Sequence, residues 1–235
     1  MIVQLGNFLF RYRNILIPIA LASLLLEGRR IFANDLLAAL IGGVVVFVGM
    51  SLRALTIGLA YIVRGGKNRQ VYAETLVQEG MFAHCRNPLY LGNFVFVLGA
   101  GIAVNSFYFV VIAVPFFLFL YLAIIQAEEK FLVQKFGQDY IEYCNRVNRL
   151  IPNLSGFSQT LKGMEFKWRR LIVKEYGSIA IAAGIILLVL KNLLVHDGYQ
   201  ANQNAIWTLM GLFLCLTVMY AVARYLKKSQ RLVGD

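Results

Sequence analysis

The chain is short of charge, and of negative charge most of all: 15% of its 235 residues are charged, and only 12 are acidic against 23 Lys and Arg. With 59% hydrophobic residues and a mean hydropathy of +0.66, it carries more apolar surface than one water-facing core can hide, which excludes an ordinary soluble domain. Cysteine is also scarce. Cys85, Cys144 and Cys215 are odd in number and share no metal-ligand spacing, so we expect neither a disulfide framework nor a zinc site. Two histidines, His84 and His196, leave little for a metal centre of another kind, and no metal is expected.

What is present is a series of long apolar runs, at 14–27, 36–63, 89–104, 107–126, 177–195 and 205–226, mostly near the ~20 residues that a spanning helix needs. The fold class they predict is all-α, a polytopic transmembrane bundle of about six spans. The first and third runs are short, and the third and fourth read as a helical hairpin turned at Asn105-Ser106. Residues 1–13 read as an interfacial lead with aromatic Phe8, Phe10 and Tyr12. That lead has no short apolar core with a small-residue cleavage site, so the first span reads as retained; the C-terminus shows no lipidation signal.

A formal charge of +11 would suit nucleic acid in a soluble protein, but here the basic residues speak to orientation. With the N-terminus inside, 19 of the 23 fall on inner segments, Arg29 and Arg30 on an outer loop, and Arg53 and Lys191 within or near spans. The reading is therefore an inner or plasma-membrane protein with both termini and segments 64–86, 127–176 and 227–235 in the cytoplasm, 196–204 outside, and no nucleic-acid partner.

Several residues stand out inside this frame. Arg53 lies some ten residues into a span, where a charge is costly unless paired, wetted or snorkelling to the interface. Gly42, Gly43, Gly49 and Gly58 suit close helix packing. Asn87-Pro88 starts a helix at the membrane surface, with Pro88 fixing φ and Asn87 able to cap through its side-chain oxygen; Arg86 stands alongside that positive helix end. His84 reads as a packing or hydrogen-bonding residue, His196 as solvated. Glu128 and Glu129 close the fourth run, and because a helix turns ~100° per residue only one can face the bundle. Beyond Gly137, which stops that helix, Tyr140, Tyr143 and Arg146 fall on one side of a short amphipathic helix ending at Pro152, a wall for a membrane-surface cavity.

In order and spacing, Arg53 within a span, Leu76 to Gly80, Arg86-Asn87-Pro88-Leu89-Tyr90-Leu91-Gly92, Glu128-Glu129 and the tail from Phe136-Gly137 to Ile151-Pro152 resemble the superfamily of isoprenylcysteine carboxyl methyltransferases and phospholipid methyltransferases. The likeness covers about residues 45–153. It implies S-adenosyl-L-methionine as cofactor, bordered by Asn87, Pro88, Tyr90, Leu91 and Gly92 with His84 and Arg86 beside them. Glu128 or Glu129 would hold the cofactor's amino or ribose groups, with Glu129 slightly favoured by its position three residues after Gln126. Arg53 or Arg146 would bind an acidic acceptor or lipid phosphate, and Tyr143 or Tyr140 would position it.

The acceptor class implied is lipidic or small and apolar, met among membrane lipids. Asn87-Pro88 is similar to the phospholipid N-methyltransferases, which keep Asn-Pro, whereas carboxyl methyltransferases usually have His-Pro; the tail looks like the latter. Residues 1–153 form the core on this reading. Residues 154–235 add a connector and two spans that could serve a homodimer surface, a lipid entrance or anchoring. Two other classes stand beside it: an NADPH-dependent sterol-reductase-like enzyme and a non-catalytic lipid-binding protein.

Overall fold

The computed structural model describes residues 2–60, 72–196 and 203–229, and the chain there is helical. Arg64, Gly65-Gly66, Lys67, Arg69, the loop residues 197–202 and Arg231 lie outside the described residues. Eight α-helices follow in order: α1 Ile2–Ala22, α2 Asp35–Leu59, α3 Pro88–Ala103, α4 Val114–Phe136, α5 Gln138–Arg146, α6 Phe157–Gly163, α7 Trp168–His196 and α8 Gln203–Lys228. Among the described residues five helices are long and apolar enough to cross a membrane, within Ile2–Leu25, Asp35–Leu59, Phe109–Phe136, Trp168–Leu194 and Trp207–Lys228, and α3 is a shorter apolar helix of 16 residues. The protein is an integral membrane protein.

Each start has a local cause. The side chain of Asn34 accepts the N–H of Leu37 (2.9 Å) and so caps α2. A π-helical turn at Phe109–Ala113 precedes Pro115, whose missing N–H cannot complete the regular ladder. The lead expected at residues 1–13 is not separate: it is the first half of α1, drawn into the bundle because Leu9 and Phe10 are buried and Gly6 meets the backbone of Ala123 in α4.

The turn expected at Asn105-Ser106 is present, with Asn105 at φ 60° and its Oδ1 accepting the N–H groups of Ile31 and Phe32 (both 2.9 Å). Yet α3 seats chiefly on α2, not α4. A methyl on Gly49 would stand 2.6 Å from the amide nitrogen of Phe96, one on Gly99 2.5 Å from that of Val46, and one on Gly42 against that of Ala103. Small residues let these two backbones touch. Gly43 takes no part, with open space around it, and Gly58 packs on Phe166.

The main core joins α1, α3 and α4 through Phe10, Phe96, Ala100, Phe117, Leu120 and Ile124, and Ile185 of α7 closes one side. At ~1.5 Å per residue α3 is about 24 Å long, less than the ~30 Å hydrocarbon thickness. The cavity lies at its N-terminal end, where Asn87, Pro88, Leu89, Tyr90 and Asn93 line it.

Candidate functional site

That cavity has a volume of about 930 Å³, at the upper end of the ~300–1,000 Å³ range of small-molecule sites, and it opens among six helices. The C-terminal end of α2, the N-terminal end of α3, the middle of α4, the N-terminal end of α7 and the C-terminal end of α8 meet there, with one side of α1. Alternating helix direction brings these ends to one face.

One wall is acidic and polar. Glu128 is buried, and Tyr90, in the first turn of α3, donates its hydroxyl to Glu128 Oε1 (2.8 Å) while its ring tilts against Tyr121 at 5.5 Å. Asn87 lies beside them, and its φ of −128° and ψ of 52° leave the expected side-chain cap unmade. Its Nδ2 instead donates to the carbonyl of Arg149 (3.2 Å), and its Oδ1 is buried with no hydrogen-bond partner. A buried carbonyl oxygen without a donor costs ~1–3 kcal/mol, which a ligand N–H or O–H would recover.

Arg53 crosses the floor of the cavity and is not snorkelling. Its Nε and Nη2 donate to the two oxygens of buried Glu175 (2.8 and 2.5 Å), Nη2 also to Ser178 Oγ (3.0 Å), and Nη1 to Asn93 Oδ1. Two hydrogen bonds from one guanidinium fork to a carboxylate make a strong and directional pair. Gly92 permits it, because any side chain there would run into Arg53.

Other residues singled out from the sequence stand elsewhere. Glu129 points away from Glu128: it accepts from Arg86 Nη2 (3.1 Å) and from Arg149 Nη2 and Nε (2.6 and 3.2 Å). Arg86 does not face the helix start for an anion; its Nη1 also donates to the carbonyls of Cys144 and Val147 (2.9 and 3.0 Å) and so pins the chain after α5. His84 is buried against Phe157, its Nδ1 donating to the carbonyl of Asn153 (2.7 Å) and its Nε2 lying 2.9 Å from Thr160 Oγ1. Pro88 lines the cavity and Leu91 does not.

The wall expected from α5 is not formed. Tyr140 and Tyr143 are buried with Leu132 in a separate cluster, Tyr143 donating to the carbonyl of Phe82 (2.7 Å), and Arg146 is exposed with a bond to Gln78 (3.0 Å). The helix ends at Arg146, short of Pro152, because the following residues fold back over residues 84–86. Sequence reasoning missed Glu175, Asn93 and the α8 residues on the cavity. A signal existed for Glu175: an arginine inside a span calls for an acid near one, and the chain has only 12 acids to offer.

A bundle of helices apolar enough to span a membrane, with a polar, carboxylate-bearing cavity at the start of α3, defines the class: a helical membrane protein with a cavity sized for a small molecule. The comparisons carry this further. A family model described as "Phospholipid methyltransferase" matches residues 36–139. The chain is 31% identical over 159 residues to the cobalt-zinc-cadmium resistance protein CzcN of Cupriavidus metallidurans, covering 64% of this chain and 68% of that one. It is 34% identical over 82 residues to the nickel-cobalt-cadmium resistance protein NccN of Alcaligenes xylosoxydans xylosoxydans, 35% of this chain and 38% of that one. It is 29% identical over 138 residues to the protein-S-isoprenylcysteine O-methyltransferase of Saccharomyces cerevisiae, 55% of this chain and 56% of that one. The chain belongs to the superfamily of integral membrane methyltransferases that contains the phospholipid and isoprenylcysteine carboxyl methyltransferases.

Proposed function

We propose that the protein transfers a methyl group from S-adenosylmethionine to a lipidic or small apolar acceptor at the cytoplasmic membrane face. The observation that carries this reading is the convergence of Glu128, Tyr90 and the unpartnered Asn87 Oδ1 on one cavity. These groups suit the cofactor's chemistry: a buried carboxylate for its ammonium or ribose hydroxyls, and a carbonyl oxygen that lacks a donor. When bound, S-adenosylmethionine supplies an electrophilic methyl group on a sulfonium.

The protein's part is then orientation and dryness. Glu128 and Asn87 fix the polar end of the cofactor, Tyr90 holds the Glu128 carboxylate in place, and Ile17, Ile57 and Ile124 give the cavity an apolar patch against which the methyl group is kept from water. Arg53, already paired by Glu175, sets the floor against which an acceptor rests. Tyr143, Arg146, Glu129 and Arg86 act on this reading by holding the chain around the site, not by touching ligand.

Calorimetric titration of purified protein with S-adenosylhomocysteine and, separately, with NADPH tests the reading. Binding of S-adenosylhomocysteine alone is expected; binding of NADPH alone would sink it. The inward orientation is checked by a cysteine placed at Ser155, which an impermeant reagent should reach only in inverted vesicles.

A further inference from the structure

Between α5 and α7 the chain runs through a connector that is pinned at both ends. At one end the amide of Arg86 donates to the carbonyl of Asn148 (2.9 Å) and that of Asn153 to the carbonyl of His84 (3.0 Å). At the other, the amide of Lys167 donates to the carbonyl of Gly58 in the last turn of α2 (2.9 Å), and Phe166 packs on Gly58 and on the ring of Trp168 (4.5 Å). Phe157 and Thr160 of α6 turn inward against His84. Apolar side chains also turn outward: Ile151 is 77% exposed, Leu154 63% and Leu161 41%. Large aliphatic groups held outside by a fixed backbone mark a surface that something apolar covers.

Two observations identify that cover as a bilayer surface. Trp168, Ile172, Ile179, Ile186 and Leu190 are exposed and lie within ~40° of one line along α7, so this span presents an apolar stripe to lipid. The stripe begins where the connector ends, and tryptophan favours the membrane–water boundary, which sets Trp168 at headgroup level. The charge then selects the headgroup. Between residues 151 and 169 the chain has Lys162, Lys167 and Arg169 against Glu165 as the one acid. Glu165 pairs with Lys167 (2.8 Å), while Lys162 and Arg169 are exposed. Apolar and basic side chains displayed together suit an anionic leaflet.

We propose that residues 151–169 form a surface anchor that lies in the headgroup layer of an anionic leaflet, with Ile151, Leu154 and Leu161 dipped toward the acyl chains and Lys162 and Arg169 at the phosphates. The anchor does not depend on the methyltransferase reading. Its consequence for the cavity is positional. The stretch that carries Ile151 and Leu154 is bonded through Asn153 to His84, three residues ahead of Asn87, so one wall of the cavity is held level with the membrane surface.

The test uses the full-length protein in phosphatidylcholine nanodiscs, with Trp168→Phe/Trp207→Phe as background. Into it go, one at a time, Leu154→Trp, Leu161→Trp and, in place of either that melts early, Ile151→Trp; Asp139→Trp, exposed on α5, is the control. The quenchers are brominated phosphatidylglycerol, brominated phosphatidylcholine at the same fraction, and acrylamide from the water side. Brominated phosphatidylglycerol should quench Leu154→Trp and Leu161→Trp at least about twofold more than brominated phosphatidylcholine does, and at least about twofold more than it quenches Asp139→Trp. Acrylamide should show the opposite order between patch and control. Adding Lys162→Gln/Arg169→Gln should abolish the preference for phosphatidylglycerol and leave the quenching by brominated phosphatidylcholine in place. Acrylamide quenching as strong at the patch as at Asp139→Trp would put the patch in water and overturn the anchor. Shielding from acrylamide without quenching by either lipid would seat a second copy of the chain there and overturn it too. Equal quenching by the two lipids with Lys162 and Arg169 intact would remove the anionic partner, and the proposal with it.

Discussion

Glu128 and Glu129 differ by one step on α4, and that ~100° rotation gives them different duties. Glu128 faces the cavity with Tyr90, whereas Glu129 is clasped by Arg86 and Arg149. Glu128→Gln should weaken S-adenosylhomocysteine by at least about tenfold, since a charge-assisted hydrogen bond contributes ~1.5–3 kcal/mol and each 1.4 kcal/mol is one decade, with little change in thermal melting. Glu129→Gln should do the reverse, costing ~2–3 kcal/mol in stability because two arginines lose their anion, a figure held down by the partial exposure of Arg149. The pair was legible in the sequence but its direction was not: Gln126, Glu128, Glu129 and Lys130 spread polar groups around α4 there, so no single polar face fixes its rotation, and spacing from Gln126 pointed the wrong way round for the cavity. Cys85 shows a second residue-scale effect. Burial pushes its thiol up to about 11, while the Asn87 N–H and the Arg86 charge pull only weakly the other way. A pKa raised in the folded state means stability that is fully present below the ordinary thiol range and lost as pH rises through about 11. Chemical denaturation should therefore give flat stability to about pH 8.5 and a fall above it that is absent from Cys85→Ala.

Helices are placed here by what is missing from their surfaces. Gly42 and Gly49 are seven residues apart, which returns them to nearly the same face, and both let α2 touch the backbone of α3. Gly43 is rotated by one residue and looks into open space. Gly49→Val should lower stability by ~1–3 kcal/mol through overpacking against the amide of Phe96, seen as a lower melting temperature, whereas Gly43→Ala should be neutral or raise it by up to ~1 kcal/mol through helix propensity. Equal effects from the two would mean that the α2–α3 seam is not closely packed. The glycine content of this run was readable in advance, as was the helix count to within the short α3. The length of α1 was not, because Arg11 and Arg13 look like the edge of a membrane segment; in the fold Arg13 lies over the ring of Phe10 and borders the cavity, so charge continues where the apolar pattern suggested a boundary.

The molecule as a whole is joined across the cavity by Arg53 and Glu175, 122 residues apart, one within the segment that the family model matches and the other beyond it. This bond shows why fold and site were unequally legible. Apolar runs report spans one at a time, but a site made from parts of six helices depends on their mutual arrangement, and the acid of α7 enters only once α7 lies against α2. Glu175 is buried and Arg53 largely withdrawn from solvent, at 3% and 14% side-chain exposure, so each needs the other. Arg53→Met alone or Glu175→Met alone leaves an unpaired charge at depth and should cost ~3–5 kcal/mol, whereas Arg53→Met/Glu175→Met replaces the pair with apolar volume and should recover most of that loss. The difference is the coupling energy, measurable from denaturation midpoints of the four proteins in one detergent. If the pair only ties α7 to α2, the double variant should also bind S-adenosylhomocysteine as the parent does. If Arg53 sets the floor of the cavity, as we propose, stability should return in the double variant while methyl transfer to the acceptor stays at least about tenfold down. Additive losses with no recovery would mean that the two residues act separately and that α7 is held by its apolar contacts alone.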